Sequence, residues 1–209
     1  MAFNTGKAQS LVRDRFNLAP LDITADHVKG EVLSYFRYNR AGVNMCCTEF
    51  QDPYTNSIED ILVREQRGEN TIYHAIEVKI SEADFKREFW HKKEKHKEHG
   101  NGRFYDVFYF AVTKEIQDLV YEYLELEQLP YGLIVVSYAE NKQIQCNLVK
   151  RPERLIRSDE VDEATIDAAI CKRMSSEIAA SRCDIYKLRS GLAEVKRQIY
   201  MLSQSIKLS

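Results

Sequence analysis

The sequence predicts an α/β domain with a mixed sheet flanked by helices, followed by a C-terminal coiled-coil helix. The predicted elements up to residue 149 run in the order helix, three strands, helix, strand, helix, two strands. Residues 107–112 (VFYFAV) form a continuous apolar run, which is typical of a strand buried on both faces. Residues 171–206 instead repeat apolar side chains at alternating spacings of three and four, which indicates a coiled coil.

The first half of the domain begins with a helix and continues with three strands. Thr24 is a suitable N-cap for a helix that extends to about Asn39. Strands are predicted over 45–50, 58–65 and 71–80. Only the short turn Arg67–Gly68–Glu69–Asn70 separates the last two strands, which predicts an antiparallel hairpin.

The second half alternates helices and strands. Ser81 and Asp84 form a capping-box pattern that starts a helix directly after the hairpin. The remaining predicted elements are the strand 107–112, a helix over 116–128, and strands over 132–138 and 143–149. We therefore divide the chain into a domain of residues 1–157 and an oligomerisation helix of residues 158–209.

The C-terminal repeat predicts a parallel homodimer through residues 171–206. Heptad position a is taken by Cys171, Ile178, Ile185, Leu192, Ile199 and Ile206, and position d by Met174, Ser181, Leu188, Val195 and Leu202. Glu177 would face Arg182 of a partner, and Asp184 would face Arg189, if the helices run parallel. Gly191 weakens the middle of the helix by about 1 kcal/mol. The alternative is a helix packed on its own domain.

Composition indicates a globular protein, because 44% of the 209 residues are hydrophobic and 11% are aromatic. No apolar run is long enough to span a bilayer. The first ten residues lack the apolar core of a secretory signal, so we expect a cytoplasmic protein of a bacterium or a phage-infected cell. The five cysteines form no CxxC pair, and we expect them to stay reduced.

A basic segment follows the hairpin, although the net charge is only -2. Residues 86–103 contain seven Lys or Arg and three Glu. We expect this segment to contact phosphates through Lys92, Lys93, Lys95, His96 and Lys97. A solvated helix face is the alternative interpretation.

The strand Ala75–Ile76–Glu77–Val78–Lys79 carries the candidate chemistry. Strand alternation places Glu77 and Lys79 on one face, and the hairpin brings Asp60 into the same sheet. We expect Asp60, Glu77 and the Val78 backbone carbonyl to bind Mg²⁺ or Mn²⁺. Lys79 would orient or deprotonate the attacking water and stabilise developing negative charge. A hairpin with a solvated acid–base pair is the alternative.

A longer string of residues resembles the PD-(D/E)XK nuclease superfamily, and within it the MmcB-like DNA-repair proteins and their phage-encoded relatives. The matching residues are Ile76 to Phe85 (IEVKISEADF), Lys95–His96, Arg103–Phe104, Phe108 to Val112 (FYFAV) and Tyr131 to Ile134 (YGLI). The resemblance spans roughly residues 24–150 and implies a restriction-endonuclease-like fold with Asp60, Glu77 and Lys79 as its core. Glu59 stands where the superfamily motif has proline.

Secondary candidates accompany this core. The superfamily often supplies an additional acidic ligand from its first helix, which makes Glu31 a possible metal ligand. Glu49 could be a ligand, although a charge at the sheet edge is the simpler interpretation. Ser81 and Asp84 match the resemblance, and helix capping explains both equally well.

The sequence therefore predicts a Mg²⁺-dependent deoxyribonuclease that works as a coiled-coil dimer. The alternative is an inactive nuclease fold that serves as a DNA-binding or assembly module and recruits a partner through the coiled coil. RNA stays open as a substrate, because folds that contact the nucleic-acid backbone need no RNA-binding signature.

Overall fold

A computed structural model describes residues 22–39, 43–91, 104–140 and 143–207. The predicted phosphate contacts Lys92, Lys93, Lys95, His96 and Lys97 lie outside these residues. The described residues form two compact units, one within Met1–Ile170 and the other within Cys171–Ser209. The predicted domain division after residue 157 falls inside the first unit and stays a prediction.

The first unit is an α/β structure built on a six-stranded mixed sheet, which confirms the predicted fold class. Its elements are α1 (Ala25–Ser34), β1 (Val43–Gln51), β2 (Ile58–Arg67), β3 (Asn70–Lys79), α2 (Glu82–His91), β4 (Val107–Thr113), α3 (Gln117–Leu126), β5 (Gly132–Tyr138) and β6 (Ile144–Lys150). A 3₁₀ turn, Lys114–Ile116, precedes α3. The last helix, α4 (Glu163–Lys207), begins in the first unit and continues through the second.

The strands lie in chain order from β1 to β6. The two central pairs, β3 with β4 and β4 with β5, are parallel, and the other three pairs are antiparallel. Strands β2 and β3 form the predicted hairpin, and Gly68 in its turn has a φ of 61°, which costs glycine little. All seven residues of β4 are buried, as its continuous apolar run predicts.

Helices cover both faces of the sheet. On one face, Val28, Val32 and Phe36 of the first helical segment pack against Ile76 and Val78 of β3 and other buried strand residues. On the opposite face, Phe85 of α2 contacts Phe110 of β4 and Tyr123 of α3, with ring centroids 5.3 and 5.5 Å away. The alternation of β3 is therefore as predicted, with Ile76 and Val78 on the α1 face and Glu77 and Lys79 on the α2 face.

The end of the first helix differs from the sequence prediction. Thr24 caps the helix as expected, since its hydroxyl accepts a hydrogen bond from the His27 amide. Residues Tyr35–Asn39, however, form a π-helical turn. The side-chain amide of Asn44 donates to the Phe36 carbonyl at 2.6 Å, and this contact satisfies a carbonyl in the irregular turn.

Helix α4 starts before the heptad region. Asp162 accepts hydrogen bonds from the amides of Ala164 and Thr165, which caps the helix at Glu163. Ile166 and Ile170 are fully buried in the first unit. Asp167 accepts two hydrogen bonds of 2.9 Å from Nε of Arg64 on β2, which fixes these first turns to the hairpin.

The second unit is the exposed continuation of α4. Six of its apolar heptad residues are about half exposed or more, namely Ile178 (54%), Ile185 (48%), Leu188 (72%), Leu192 (55%), Val195 (50%) and Ile199 (61%). A helix this long is consistent with the predicted repeat, whereas the pairing of two such helices stays a prediction. None of the helices in the described ranges is both long and apolar enough to cross a membrane.

Candidate active site between β2 and β3

The candidate site lies where β2 and β3 separate. The two strands pair from Arg67 and Asn70 up to Ile61 and Ile76, and Asp60 is the next residue of β2. Oδ2 of Asp60 accepts a hydrogen bond of 2.8 Å from the Val78 amide. At this position a side chain of β2, and not its backbone, therefore accepts the hydrogen bond from β3. Because the amide and carbonyl of a strand residue point to the same side, the Val78 carbonyl also faces this fork.

Glu77 and Lys79 flank Val78 on the α2 face of the sheet. Both are buried, with 4% and 6% of their surface exposed. Nζ of Lys79 lies 2.9 Å from Oε1 of Glu77 and 3.1 Å from Oε2 of Glu88 on α2. The structure therefore gathers the three predicted core residues around Val78 and adds a second carboxylate to Lys79.

Lys79 is held in its charged form. Burial alone would lower the pKa of its ammonium group, but the nearby carboxylates of Glu77 and Glu88 outweigh that effect and raise the pKa above 10.5. A lysine in this environment donates hydrogen bonds and neutralises negative charge. The geometry accordingly favours an orienting and charge-stabilising role for Lys79 over the predicted alternative of deprotonating water.

Lys29 of α1 contacts Asp60. Nζ of Lys29 lies 3.0 Å from Oδ1 of Asp60 and also forms an ion pair with Oε1 of Glu49. Glu49 has a φ of 47° and interrupts the regular pairing of β1 with β2 opposite Asp60. Glu49 is 45% exposed at its side chain, as a charge at the sheet edge would be, and Lys29 links it to the site.

Glu31 is directed away from the fork. Burial raises the pKa of Cys146 on β6 and the nearby charge of Glu31 adds to this effect, whereas β6 lies four strands from β2 in the sheet. Residues two apart on a helix point in nearly opposite directions, so Lys29 and Glu31 of α1 cannot both face the same strand. The structure thus brings Lys29, and not Glu31, to Asp60.

The two remaining secondary candidates lie at the start of α2. Ser81 Oγ accepts a hydrogen bond of 3.3 Å from the Asp84 amide, which is the predicted helix cap. Asp84 also places its Oδ2 4.0 Å from Nζ of Lys79. Ser81 is therefore a capping residue in this arrangement, while Asp84 adds to the charge around Lys79.

Lys29 and Glu88 also contact the predicted core residues, and neither was predicted from the sequence. Glu88 follows Asp84 by one helical turn and Phe85 by three residues, so it shares the helix side that faces the sheet. An acid on that apolar side was the available signal. Lys29 had no comparable signal in the sequence, because the rotation of α1 about its axis, and hence the strand that each side chain faces, depends on tertiary packing.

The charged side chains near the fork form two ion-pair groups, one around Lys29 and one around Lys79. Two ammonium groups, Lys29 and Lys79, contact five carboxylates, those of Glu49, Asp60, Glu77, Asp84 and Glu88. Within the described ranges, no three or more His, Cys, Asp or Glu side chains are grouped as a metal site. Mg²⁺ needs only one or two protein carboxylates, because water and substrate phosphate supply its other ligands. Binding of Mg²⁺ by the oxygens of Asp60, Glu77 and Val78 stays a prediction.

The cysteines give an independent test of burial near α1 and β6. Burial, assisted by the charge of Glu31, raises the pKa of Cys146 to about 12, and burial raises that of Cys46 to about 11. Raising a thiol pKa lowers the thiolate fraction at pH 8, so these thiols should react slowly with iodoacetamide. Cys171 and Cys183 are exposed on α4 and should react first. Peptide mass mapping after brief alkylation measures the order, and prompt labelling of Cys146 at pH 8 would contradict this packing.

The fold and the fork define an α/β protein with a buried acid–lysine cluster. No protein family and no curated protein matches the sequence. Among solved structures, a protein of unknown function from Silicibacter pomeroyi is similar, with a TM-score of 0.47 and 20% identity over 78% of this chain and 90% of that chain. The comparisons assign neither a family nor an activity to this chain.

Proposed function

We propose that the protein is a metal-dependent DNA endonuclease that acts as a parallel coiled-coil dimer. The observation that carries the proposal is the fork, where Asp60 accepts a hydrogen bond from the Val78 amide and Glu77 and Lys79 flank Val78 on β3. The resemblance of the surrounding residues to the PD-(D/E)XK superfamily supports the same assignment. The basic residues Lys92, Lys93, Lys95, His96 and Lys97 support a nucleic acid as the partner.

Each residue at the fork would have a separate role. Asp60, Glu77 and the Val78 carbonyl would hold Mg²⁺ or Mn²⁺, which when bound supplies charge neutralisation and activation of water for phosphodiester hydrolysis. Lys79 would donate hydrogen bonds to the attacking water or a phosphate oxygen. Glu88 would hold the Lys79 ammonium in position, because its Oε2 lies 3.1 Å from Nζ of Lys79 and it approaches from α2, not from the strand.

Dimerisation through α4 would supply two such sites to one nucleic acid. An exposed apolar stripe follows heptad positions a and d in the described part of α4, formed by Ile178, Ile185, Leu188, Leu192 and Ile199. The Glu177–Arg182 and Asp184–Arg189 pairs favour parallel helices. Two sites in one particle provide a direct way to cut both strands of a duplex or branched DNA.

The second candidate is an inactive nuclease fold used for DNA binding or assembly. It is favoured by the ion pairing at the fork, because Lys29 and Lys79 already neutralise Asp60 and Glu77. Titration calorimetry with Mn²⁺ distinguishes the two candidates. The nuclease should bind Mn²⁺ and lose that binding in Asp60→Asn, whereas the inactive module should show no Mn²⁺-dependent heat.

Cleavage of supercoiled plasmid DNA tests the proposed activity. We expect wild-type protein to nick and linearise the plasmid with Mn²⁺ or Mg²⁺, and not with EDTA. Asp60→Asn and Glu77→Gln should each reduce the rate by about 100-fold or more, comparable to removing one preorganised charge-stabilising group. Glu122→Gln, which removes an exposed carboxylate from α3, is the matched control and should cleave normally.

Two outcomes would reject this assignment. Cleavage that survives Asp60→Asn and Glu77→Gln would place the activity elsewhere, and absence of cleavage of both DNA and RNA with any divalent metal would favour the inactive module. A single-stranded RNA included in the same assay decides between the two nucleic acids as substrate.

A further inference from the structure

A second candidate site lies on the α1 face of the sheet, at the end of β3 distant from Lys79. Here a cavity of about 400 Å³ opens between the π-helical turn, the starts of β3 and β4, and the end of β6. Most of its lining is apolar or aromatic, including Tyr35, Ile72, Tyr109 and Leu148. This volume and lining are those of a small-molecule site.

The aromatic wall of this cavity is fixed in place. The rings of His74 and Tyr109 are stacked, with an interplanar angle of 22° and centroids 5.9 Å apart. Gly132 lies behind Tyr109, and a Cβ atom at that glycine would come within 2.5 Å of the Tyr109 ring. Glycine at position 132 therefore allows the Tyr109 ring to occupy its place, which leaves a rigid aromatic surface beside the cavity.

A buried carboxylate positions one of two arginines that line the same cavity. Glu65 is 1% exposed, and its two oxygens lie 2.9 Å from Nε2 of His74 and 3.1 Å from Nε of Arg67. The Arg67 side chain is 52% exposed although its Nε is paired with Glu65, so part of its guanidinium group is accessible to a second partner. Burying a carboxylate is costly, and here it orients an arginine at the cavity rim.

Arg151 is the second guanidinium at the cavity. It is exposed, and it has no ion pair with any residue in the described ranges. The negative charge of Glu65 balances the positive charge of one arginine, so Arg67, Arg151 and Glu65 together carry one net positive charge at the cavity rim. A planar guanidinium fork is matched to the oxygens of a carboxylate or phosphate.

We propose that this cavity binds a small aromatic anion, with its ring against Tyr35 and Tyr109 and its phosphate or carboxylate on Arg67 and Arg151. The ring would be recognised by the apolar and aromatic lining, and the anionic group by the two guanidinium groups. The cavity is on the opposite face of the sheet from Glu77 and Lys79. The proposal is therefore independent of the nuclease function.

Ligand-observed NMR with the full-length protein tests this site. The probes are thymidine 5′-monophosphate and 2-naphthoate, which supply the phosphate and carboxylate forms of an aromatic anion. Thymidine has the ring without the charge, and inorganic phosphate has the charge without the ring. We expect at least one probe to bind, and each half alone to bind about tenfold more weakly or worse.

Variants locate the binding. Arg67→Gln with Arg151→Gln should weaken binding by about tenfold or more, since it removes two charge-assisted contacts from exposed positions. Lys114→Gln, which removes an exposed positive charge from the 3₁₀ turn, is the matched control and should not change binding. Glu77→Gln should also leave binding unchanged.

The proposal is overturned if neither probe binds at about 10 mM. It is also overturned if the double arginine variant binds as wild type does, or if Glu77→Gln abolishes binding, which would place the ligand at the β2–β3 fork. Failure of plasmid cleavage has no bearing on this result. Binding of only one of the two probes supports the proposal and identifies which anionic group the cavity takes.

Discussion

Replacement of Lys79 by methionine is expected to lower the free energy of unfolding by about 3–5 kcal/mol at pH 7. Lys79 is 6% exposed and neutralises the carboxylates of Glu77 and Glu88, which are 4% and 3% exposed. Methionine has a similar length and no charge, so the two carboxylates would remain buried without their cation. Most of the cost comes from these uncompensated charges, and little of it from lost packing.

A set of variants separates charge from packing in this prediction. The triple variant Glu77→Gln, Lys79→Met and Glu88→Gln removes all three charges and should recover most of the lost stability. Urea unfolding followed by circular dichroism provides the free energies. A loss below about 1 kcal/mol in Lys79→Met would be typical of an exposed ion pair and would contradict the burial of this cluster.

The pH dependence of the same difference has a defined sign. The pKa of Lys79 is raised in the folded protein because Glu77 and Glu88 outweigh the effect of burial. A raised lysine pKa stabilises the fold fully below the ordinary value of 10.5, and the stabilisation is lost as pH rises through the folded pKa. The difference between wild type and Lys79→Met should therefore persist from neutral pH to about pH 10 and shrink above it.

Local pattern accounts for the part of the site that the sequence predicted. Alternation along β3 placed Glu77 and Lys79 on one face, and a four-residue turn forced β2 and β3 into a hairpin. These two facts bring Asp60 beside Val78 without any knowledge of the remaining chain. The predicted strands 58–65 and 71–80 match β2 and β3 within two residues at each end.

Tertiary packing determines the part that the sequence left unpredicted. A helical pattern indicates which side of α1 is apolar and faces the sheet. It does not indicate which strands lie next to the residues at the two borders of that side. The choice between Lys29 and Glu31 depends on that placement, because the two side chains flank opposite sides of the helix. The contact of Glu88 with Lys79 depends likewise on how α2 crosses β3. The π-helical turn is accompanied by a hydrogen bond from Asn44, which is also a tertiary contact.

Oxidation of the native cysteines is expected to join two chains through Cys171 and not through Cys183. Cys171 occupies heptad position a, where identical residues of a parallel, in-register dimer meet across the axis. Cys183 falls at position f, on the outer surface of the same helix. Both thiols are exposed in the single chain, so exposure alone does not distinguish them.

The orientation of the helices decides the outcome. In a parallel dimer the two Cys171 residues can approach within the roughly 7 Å between Cα atoms that a disulfide requires. In an antiparallel dimer Cys171 would lie near the opposite end of its partner, and no disulfide could form between the two. Diamide oxidation followed by non-reducing electrophoresis should therefore give a covalent dimer for wild type and Cys183→Ser, and only monomer for Cys171→Ser.

A core substitution tests whether this disulfide reports on the coiled coil. Ile185 is a half-exposed position-a residue of the single chain, and a dimer would bury it in the apolar seam. Ile185→Asp would place two facing carboxylates in that seam, which should dissociate the dimer in sedimentation experiments and abolish cross-linking through Cys171. Cross-linking through Cys183 instead, or a wild-type monomer at all concentrations, would mean that the apolar stripe of α4 serves a different partner. In a parallel dimer, each α4 would have two functions. Its first turns would hold it to its own domain through the ion pair of Asp167 with Arg64 on β2, and its heptad region would pair with the partner helix.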